Sequence, residues 1–492
     1  MLGSWPSHED YQRQLVSDLS FIARISPYAL FEYERSLSKL YILNLDPLKD
    51  LVAPCYSSTG RPSKNQSEIF RSLVLMIDLG YPLDRWVVKL SKNPVLQLAC
   101  GFHGNLPGIA SYYDFISRIF KLNEKPRHKH KKRKPIKVFG KDKMPAKHPG
   151  IVKKMVLQLF SGRRLDRRPE RLLQNIFANV CVQPSIVLGL VPKTVSISGD
   201  GTCIVTGASP YGRRTCECHD FACGCPRKFS DPNATWGWDS HSERCFYGYT
   251  GYFISTYSRP NRLDLPLYLR IVDAKRHDSI SAVVALAEFR DLYPGLCIDT
   301  FISDSASDNY ATYELLRHWN INAVIALGKS SDGNRRYPSH LSVNEKGVPL
   351  CPGGNEMVYW GYSAKNRSGL KWRCPRILRK CTPCDACVRC SPSDYGRVIY
   401  TKPDWDLRLF TTIPRGSDRF KQIMKERTAA ERVNNRILHH YGVENAKTLG
   451  KKRISFFVTL AAFNIHLDAQ LVKRKSVDVF CFESIFGLKA VA

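Results

Sequence analysis

Lys193–Thr206 reads KTVSISGDGTCIVT. Val195 and Ile197 alternate with Ser196 and Ser198, the two-residue period of a half-buried strand. At its end Asp200 stands between Gly199 and Gly201. Strands deplete both Asp and Gly, so the two glycines mark a bulge or a place where something approaches the backbone closely. Taken alone, the stretch is equally satisfied by a strand-end turn with a solvated carboxylate. A second stretch repeats the arrangement. Cys297–Ser303, CIDTFIS, is a short strand, and Asp304 ends it in ISDSASDNY. A third acid, Glu431, lies in the helical stretch MKERTAAERVNNRIL, with Arg427 one helical turn earlier on the same face. Glu426 is five residues from Glu431, roughly 140° round the helix, so only one of the two faces a common site.

Around these acids the chain is strongly basic. It has 492 residues, 74 Lys and Arg against 44 Asp and Glu, and a net charge of +30. That imbalance argues for a polyanionic partner and says nothing about fold. No uninterrupted apolar run approaches the roughly 18–20 residues that span a bilayer. The longest, Ile454–Leu467, is broken by Ser455, Thr459, Asn464 and His466. The opening residues MLGSWPSHEDYQRQ hold acids and no apolar segment, unlike a secretory signal. A cytoplasmic, nucleoid-associated protein with no membrane partner is expected, its 17 cysteines reduced.

Read in order, residues 1–123 form a helical domain. Ser63 with Gln66 has the capping-box pattern, and Ile69, Phe70, Leu73, Val74 and Ile77 mark one face behind it. Gly80-Tyr81-Pro82 stops that helix. Leu83–Ser91 follows, with Trp86, Val87 and Leu90 inward, and a further helix starts at Ser111–Asp114. Short helices with a Gly turn suit a helix-turn-helix and also plain bundles. Residues 124–150 form a basic linker around EKPRHKHKKRK, solvated and disordered in the free protein. Lys129, Lys131, Lys132, Arg133 and Lys134 are its candidate phosphate contacts, giving affinity without sequence choice. Residues 151–190 connect through helices at Ile151–Phe160 and Pro169–Val180. Residues 191–328 then read as strands at Phe246–Tyr257, Leu267–Val272, Cys297–Ser303 and Ala323–Leu327. Helices lie at Asp278–Leu292, capped by Asp278-Ser279, and at Asp308–Trp319, with Asp308 as cap. Residues 329–415 delay the Glu431 helix and read as a largely β, cysteine-rich insertion with strands at Met357–Tyr362 and Arg397–Thr401. Residues 416–492 return with the Glu431 helix, from about Asp418, and an apolar helix.

Asp200, Asp304 and Glu431, in that order, with Arg427 in an R-x-x-x-E element, resemble the DDE triad of bacterial insertion-sequence transposases. GRPSKNQSEIFRSLVLMIDLG followed by NPVLQLACGF is similar to the N-terminal helical domain of many of them. Met424 and Leu438 stand where the family's longer signature has Tyr and Lys. The resemblance implies an α/β fold, an RNase H-like mixed sheet with flanking helices, interrupted by the insertion domain. It also implies cutting of DNA at the element's ends and joining of the freed 3′-hydroxyls to target DNA. The partners implied are double-stranded DNA, as element ends and target, and a second copy of the chain on that DNA. Three carboxylates from separate elements suit Mg²⁺ or Mn²⁺, hard ions that take oxygen ligands and work in pairs in phosphoryl transfer. On this reading Asp200 bridges two ions, Asp304 holds one and Glu431 the other, and Arg427 contacts the scissile phosphate. Asp299 sits mid-strand and outside the triad. No P-loop or G-x-S-x-G pattern occurs, so no ATP is expected.

The cysteines fall into two groups. Cys381, Cys384, Cys387 and Cys390 recur at three-residue steps, with Cys374 and Cys351 upstream. Cys216, Cys218, Cys223 and Cys225 crowd one loop. Both are candidates for structural Zn²⁺, and reduced free thiols are the alternative. Trp360, Trp372 and Trp405 read as packing residues of the insertion, and His277-Asp278 as a cap rather than a catalytic pair. Two rivals remain on sequence alone: a non-catalytic zinc-containing DNA-binding protein or repressor derived from a transposase, and a nuclease of the same fold that does not join strands.

Overall fold

The computed structural model describes residues 1–120, 128–129, 150–163, 170–220, 223–240, 242–328, 337–363, 369–380, 390–444 and 448–488. Lys131, Lys132, Arg133 and Lys134 of the basic run, and Cys381, Cys384 and Cys387, lie outside these residues.

A six-stranded mixed sheet organises the body. Its strands are β1 (Thr194–Val205), β2 (Thr235–Asp239), β3 (Arg244–Ser258), β4 (Leu263–Asp273), β5 (Cys297–Ser303) and β6 (Asn322–Ile325). β3 lies between β1 and β4, antiparallel to both, and β2 pairs with the start of β3. β5 runs parallel to β1, and β6 parallel to β5. Residues 248 to 256 of β3 are buried without a break, the pattern of a strand covered on both faces. The register sets the site: Asp200 pairs with Phe253, while Ser198 pairs with Ile302. β5 therefore ends level with Asp200, and Asp304 emerges beside it.

Helices cover the sheet. Between β4 and β5 runs α9 (Asp278–Leu292), and between β5 and β6 runs α10 (Tyr310–His318), counting α1 (His8–Ile25), α2 (Glu34–Ile42), α3 (Gln66–Asp78), α4 (Leu83–Ser91), α5 (Pro94–Cys100), α6 (Ile109–Ile119), α7 (Ile151–Phe160) and α8 (Glu170–Phe177) before them. Val156 of α7 packs with Val283, Ala311 and Leu315 of α9 and α10. The Glu431 segment is two helices rather than one. α11 (Asp418–Lys425) is capped by Ser417 Oγ accepting the Phe420 N–H, and after Glu426 and Arg427 α12 (Thr428–Asn435) begins.

The long helix α13 (Lys451–Ser476) contacts β4 on one side and α3 on the other. It is long and apolar enough by length and composition to cross a membrane, but 94% of its apolar window is buried inside the fold. The polar residues that interrupt it are satisfied there. Asn464 Nδ2 donates to Val74 O at 3.0 Å, and His466 bonds Pro266 O and Ser185 Oγ. Burial lowers the His466 pKa to about 4, so the ring is neutral and its Nε2–H donates to the carbonyl. Phe70 stacks edge-on with Phe456 and Phe463, and buried Lys39 pairs with Asp468 at 2.8 Å and with Asp78. One continuous hydrophobic cluster thus runs from α1 through the sheet to α13. Residues 1–120 pack as a layer of this body.

Several local expectations are corrected. Ser63 does not cap α3: its Oγ accepts from the Gly3 N–H, and Asn65, in the left-handed region at φ 58°, precedes the helix. Asp308 does not cap α10, which Asn309 does by accepting the Thr312 N–H. Asp308 is instead gripped by Arg408 through Nε and Nη2, and also accepts from Tyr313 and the Gly328 N–H. Residues 178–182 widen into a π turn after α8. Leu438 is buried in the core and Met424 packs beside Ile302 and Phe420, so both positions serve packing.

The segment between β6 and α11 has its own antiparallel sheet, β7 (Val358–Ser363), β8 (Gly369–Arg373) and β9 (Val398–Thr401). Leu341, Val348, Cys351, Met357, Leu370, Trp372 and Phe410 form its core. Trp372 and Trp405 pack there as expected. Trp360 does not: it is 49% exposed, with the Arg373 guanidinium 4.5 Å from its ring centre.

Candidate active site and a four-cysteine cluster

Asp200 sits in the middle of β1, partly buried. Its Oδ2 accepts a hydrogen bond of 2.9 Å from Asn434 Nδ2 on α12. Burial pushes its pKa up to about 7, and the charges of Asp304, Asp278 and Glu431 add to the rise while Arg427 opposes it. Asp304, Glu431 and Arg427 therefore all lie within electrostatic reach of Asp200. Asp304 ends β5 and opens a short 3-10 turn, its Oδ1 accepting from the Ala306 N–H at 3.1 Å. No hydrogen bond reaches its Oδ2 among the described residues. Arg427 Nη2 meets Glu431 Oε1 at 2.6 Å. Glu431 is about half exposed, at the mouth of the site. Glu426 turns away and accepts from Arg259 at 2.6 Å. Asp299 accepts from Thr300 and Asn322 at the far end of β5.

The sequence reading missed three contributors. Asn434 lies one turn after Glu431 on the same helix face, a spacing that could have signalled it. Asp278 was read as a cap. The cap is His277, whose Nδ1 accepts the Ser279 N–H at 3.2 Å, and the Asp278 carboxylate is directed at the sheet instead. Burial and then the Asp304 charge push its pKa up to about 6. Tyr252, on β3, is 1% exposed, and among the described residues its hydroxyl has no partner, nor has the buried Asn434 Oδ1.

This donor set fits a hard divalent cation. It is made of carboxylate oxygens, with one guanidinium to offset several acids, and it leaves two buried polar atoms unsatisfied. A divalent ion with its waters would relieve the like-charge repulsion and satisfy the orphaned groups.

A second constellation lies beyond β1. Arg213–Arg214 and Arg227–Lys228 pair as a short hairpin, with residues 128–129 added to its edge. Lys129 is the one residue of the predicted basic set among the described residues. At the hairpin's tip the sulfurs of Cys216, Cys218, Cys223 and Cys225 all lie within 4.8 Å of one another. The Cys216–Cys223 and Cys218–Cys225 separations are both 3.7 Å. Zn–S bonds of about 2.3 Å in a tetrahedron place sulfurs about 3.8 Å apart. Hydrogen bonds from Cys218 and Cys223 lower the Cys216 pKa to about 7, favouring the thiolate. In the insertion, Cys390 lies within electrostatic reach of buried Cys351 and Cys374.

Residues 350–467 match the family model described as a transposase DDE domain. Over those residues the chain is similar to a DDE transposase domain. The matched span runs from β7 through α11 and α12 into α13, so it includes Arg427, Glu431 and Asn434. The two aspartates of β1 and β5 precede it and join these residues through the fold. No curated protein matches the chain.

Proposed function

We propose that this protein is a transposase that cuts DNA at the ends of its own element and joins the freed 3′-hydroxyls to target DNA. The observation that carries the reading is the convergence of Asp200, Asp304 and Glu431, from two neighbouring strands and a later helix, within a chain that matches the transposase DDE domain. The strand order, with three antiparallel strands followed by two parallel ones, supports the RNase H-like reading.

Two Mg²⁺ or Mn²⁺ ions, when bound, would activate the attacking oxygen and stabilise the leaving one in an in-line displacement. Asp200, Asp304 and Glu431 would hold them. Asn434 fixes the Asp200 carboxylate by donating to Oδ2, which holds one lone-pair direction free for an ion. Arg427, held by Glu431, offers further N–H donors toward a phosphate. The four-cysteine loop would bind Zn²⁺ as a structural ion, steadying the hairpin on which residues 128–129 lie. Double-stranded DNA is the partner, engaged by a basic surface, and two copies of the chain would meet on paired element ends.

The test is Mg²⁺-dependent cleavage and joining of element-end DNA. Asp200→Asn, Asp304→Asn and Glu431→Gln should each abolish both steps while leaving DNA binding intact, and their losses should not add. Asp299→Asn and Glu426→Gln should stay within a few-fold of the parent. Normal cleavage by all three triad variants would overturn the triad, and a parent that binds but does not cleave would leave the non-catalytic DNA-binding protein. Cleavage without joining would favour the nuclease.

A further inference from the structure

We propose that Asp278 joins Asp304 in holding a divalent cation on the glycine side of β1. This rests on the reading of Asp200, Asp304 and Glu431 as cation ligands.

Side chains alternate along a strand, so Gly199 and Gly201 share the face opposite the Asp200 side chain. Nothing but backbone separates that face from its neighbours. A Cβ on Gly201 would lie 2.5 Å from both carboxylate oxygens of Asp278. A Cβ on Gly199 would meet the Tyr252 hydroxyl and the Phe301 ring. The two glycines therefore make a trough, and a carboxylate and a phenol are laid directly on its floor.

Neither group is otherwise employed. His277 takes the capping duty at the start of α9, and no hydrogen bond reaches the Asp278 carboxylate among the described residues. The Tyr252 hydroxyl is buried without a partner among the described residues, and the charges of Asp278, Asp200 and Asp304 act on it. A favourable place near a helix N-terminus would explain an acid at the first position of α9. It explains neither the missing side chains on β1 nor the orphaned phenol. A buried polar group left unpaired is destabilising, so the trough is poised for a further occupant. The Asp304 charge acts on both Asp200 and Asp278, so it lies within electrostatic reach of each. A divalent ion held by Asp304 and Asp278 would neutralise both acids, and a water of its shell would accept from Tyr252.

The experiment is calorimetric titration of MnCl₂ into the full chain without DNA. The parent should bind Mn²⁺. Asp278→Asn should weaken binding at least fivefold or remove one ion, whereas Asp299→Asn should match the parent. Gly201→Ala keeps every carboxylate and drives a methyl group into that of Asp278, so it should show the same loss, and it serves if Asp278→Asn fails to fold. Tyr252→Phe should weaken binding two- to threefold. Parent-like Mn²⁺ binding by both Asp278→Asn and Gly201→Ala would overturn the assignment of Asp278 and leave the triad standing. A parent that binds no Mn²⁺ would overturn the triad reading as well.

Discussion

Ionising Asp200 is unfavourable because its carboxylate is buried beside other acids. Its pKa moves from 3.8 unfolded to about 7 folded. Between roughly pH 4 and 7, in magnesium-free buffer, the folded protein holds a proton that the unfolded chain has lost. Folding stability therefore falls as pH rises through that window, and the decline ends above the folded pKa. Asp278 acts in the same direction up to about pH 6. In urea unfolding at pH 5 and pH 7.5, Asp200→Asn should lose much of the decline that the parent shows, and comparing the two chains cancels the other titrating groups. Parallel declines would contradict the burial argument. The strand end at Asp304 and the Arg427–Glu431 spacing were legible as local patterns. Asp200, read as ending its strand, lies instead in the middle of β1, because pairing with β3 carries the strand on to Val205. Asp278 was not legible. Whether a residue at a helix start caps or turns toward the sheet depends on His277 taking the cap and on two glycines a strand away.

The elements were legible where one period dominates. Leu83–Ser91, Ile151–Phe160 and Cys297–Ser303 lie where alternation or helical spacing puts them. Caps were less so, because Ser63 and Asp308 have competing partners far along the chain. Asp308 follows β5 and Arg408 comes from the segment returning to α11, so their pair ties the insertion to the sheet. The Asp308 side chain is 1% exposed and that of Arg408 13%. Removing one partner of such a pair strands the other charge, at a cost of about 3–5 kcal/mol. Asp308→Ala should lower denaturant stability by that order, and Arg408→Ala should do the same. A loss near zero for both would mean that the insertion is held by other contacts. The break between α11 and α12 was not legible either, since MKERTAAERVNNRIL has no Gly or Pro at Glu426-Arg427.

Charge and cysteine content act on the molecule as a whole. With Lys129, Lys131, Lys132, Arg133 and Lys134 replaced by Ala, binding should weaken equally on all duplexes. The salt slope should flatten by up to about 4.5, at 0.9 per phosphate contact. A loss confined to element-end DNA would overturn the non-specific role. Protein purified without chelator should contain zinc, and Cys218→Ser should reduce it; metal-free protein that is folded and active would refute the structural ion. Reading residues 1–123 as an N-terminal helical domain left open which surface its apolar face meets, because helical periodicity does not reveal that. That face meets α13, and this bears on how the protein is made. The helix that lies between the N-terminal layer and the sheet is synthesised after both. Phe70, Val74 and Lys39 must wait for Phe456, Asn464 and Asp468, almost four hundred residues downstream. Contacts of such separation close late and slowly. A nascent chain stopped before α13 has its acids and most of its basic residues but no centre to gather them. An interrupted copy should therefore be cleared as a misfolded fragment, with no chance to compete for the DNA that the finished protein engages.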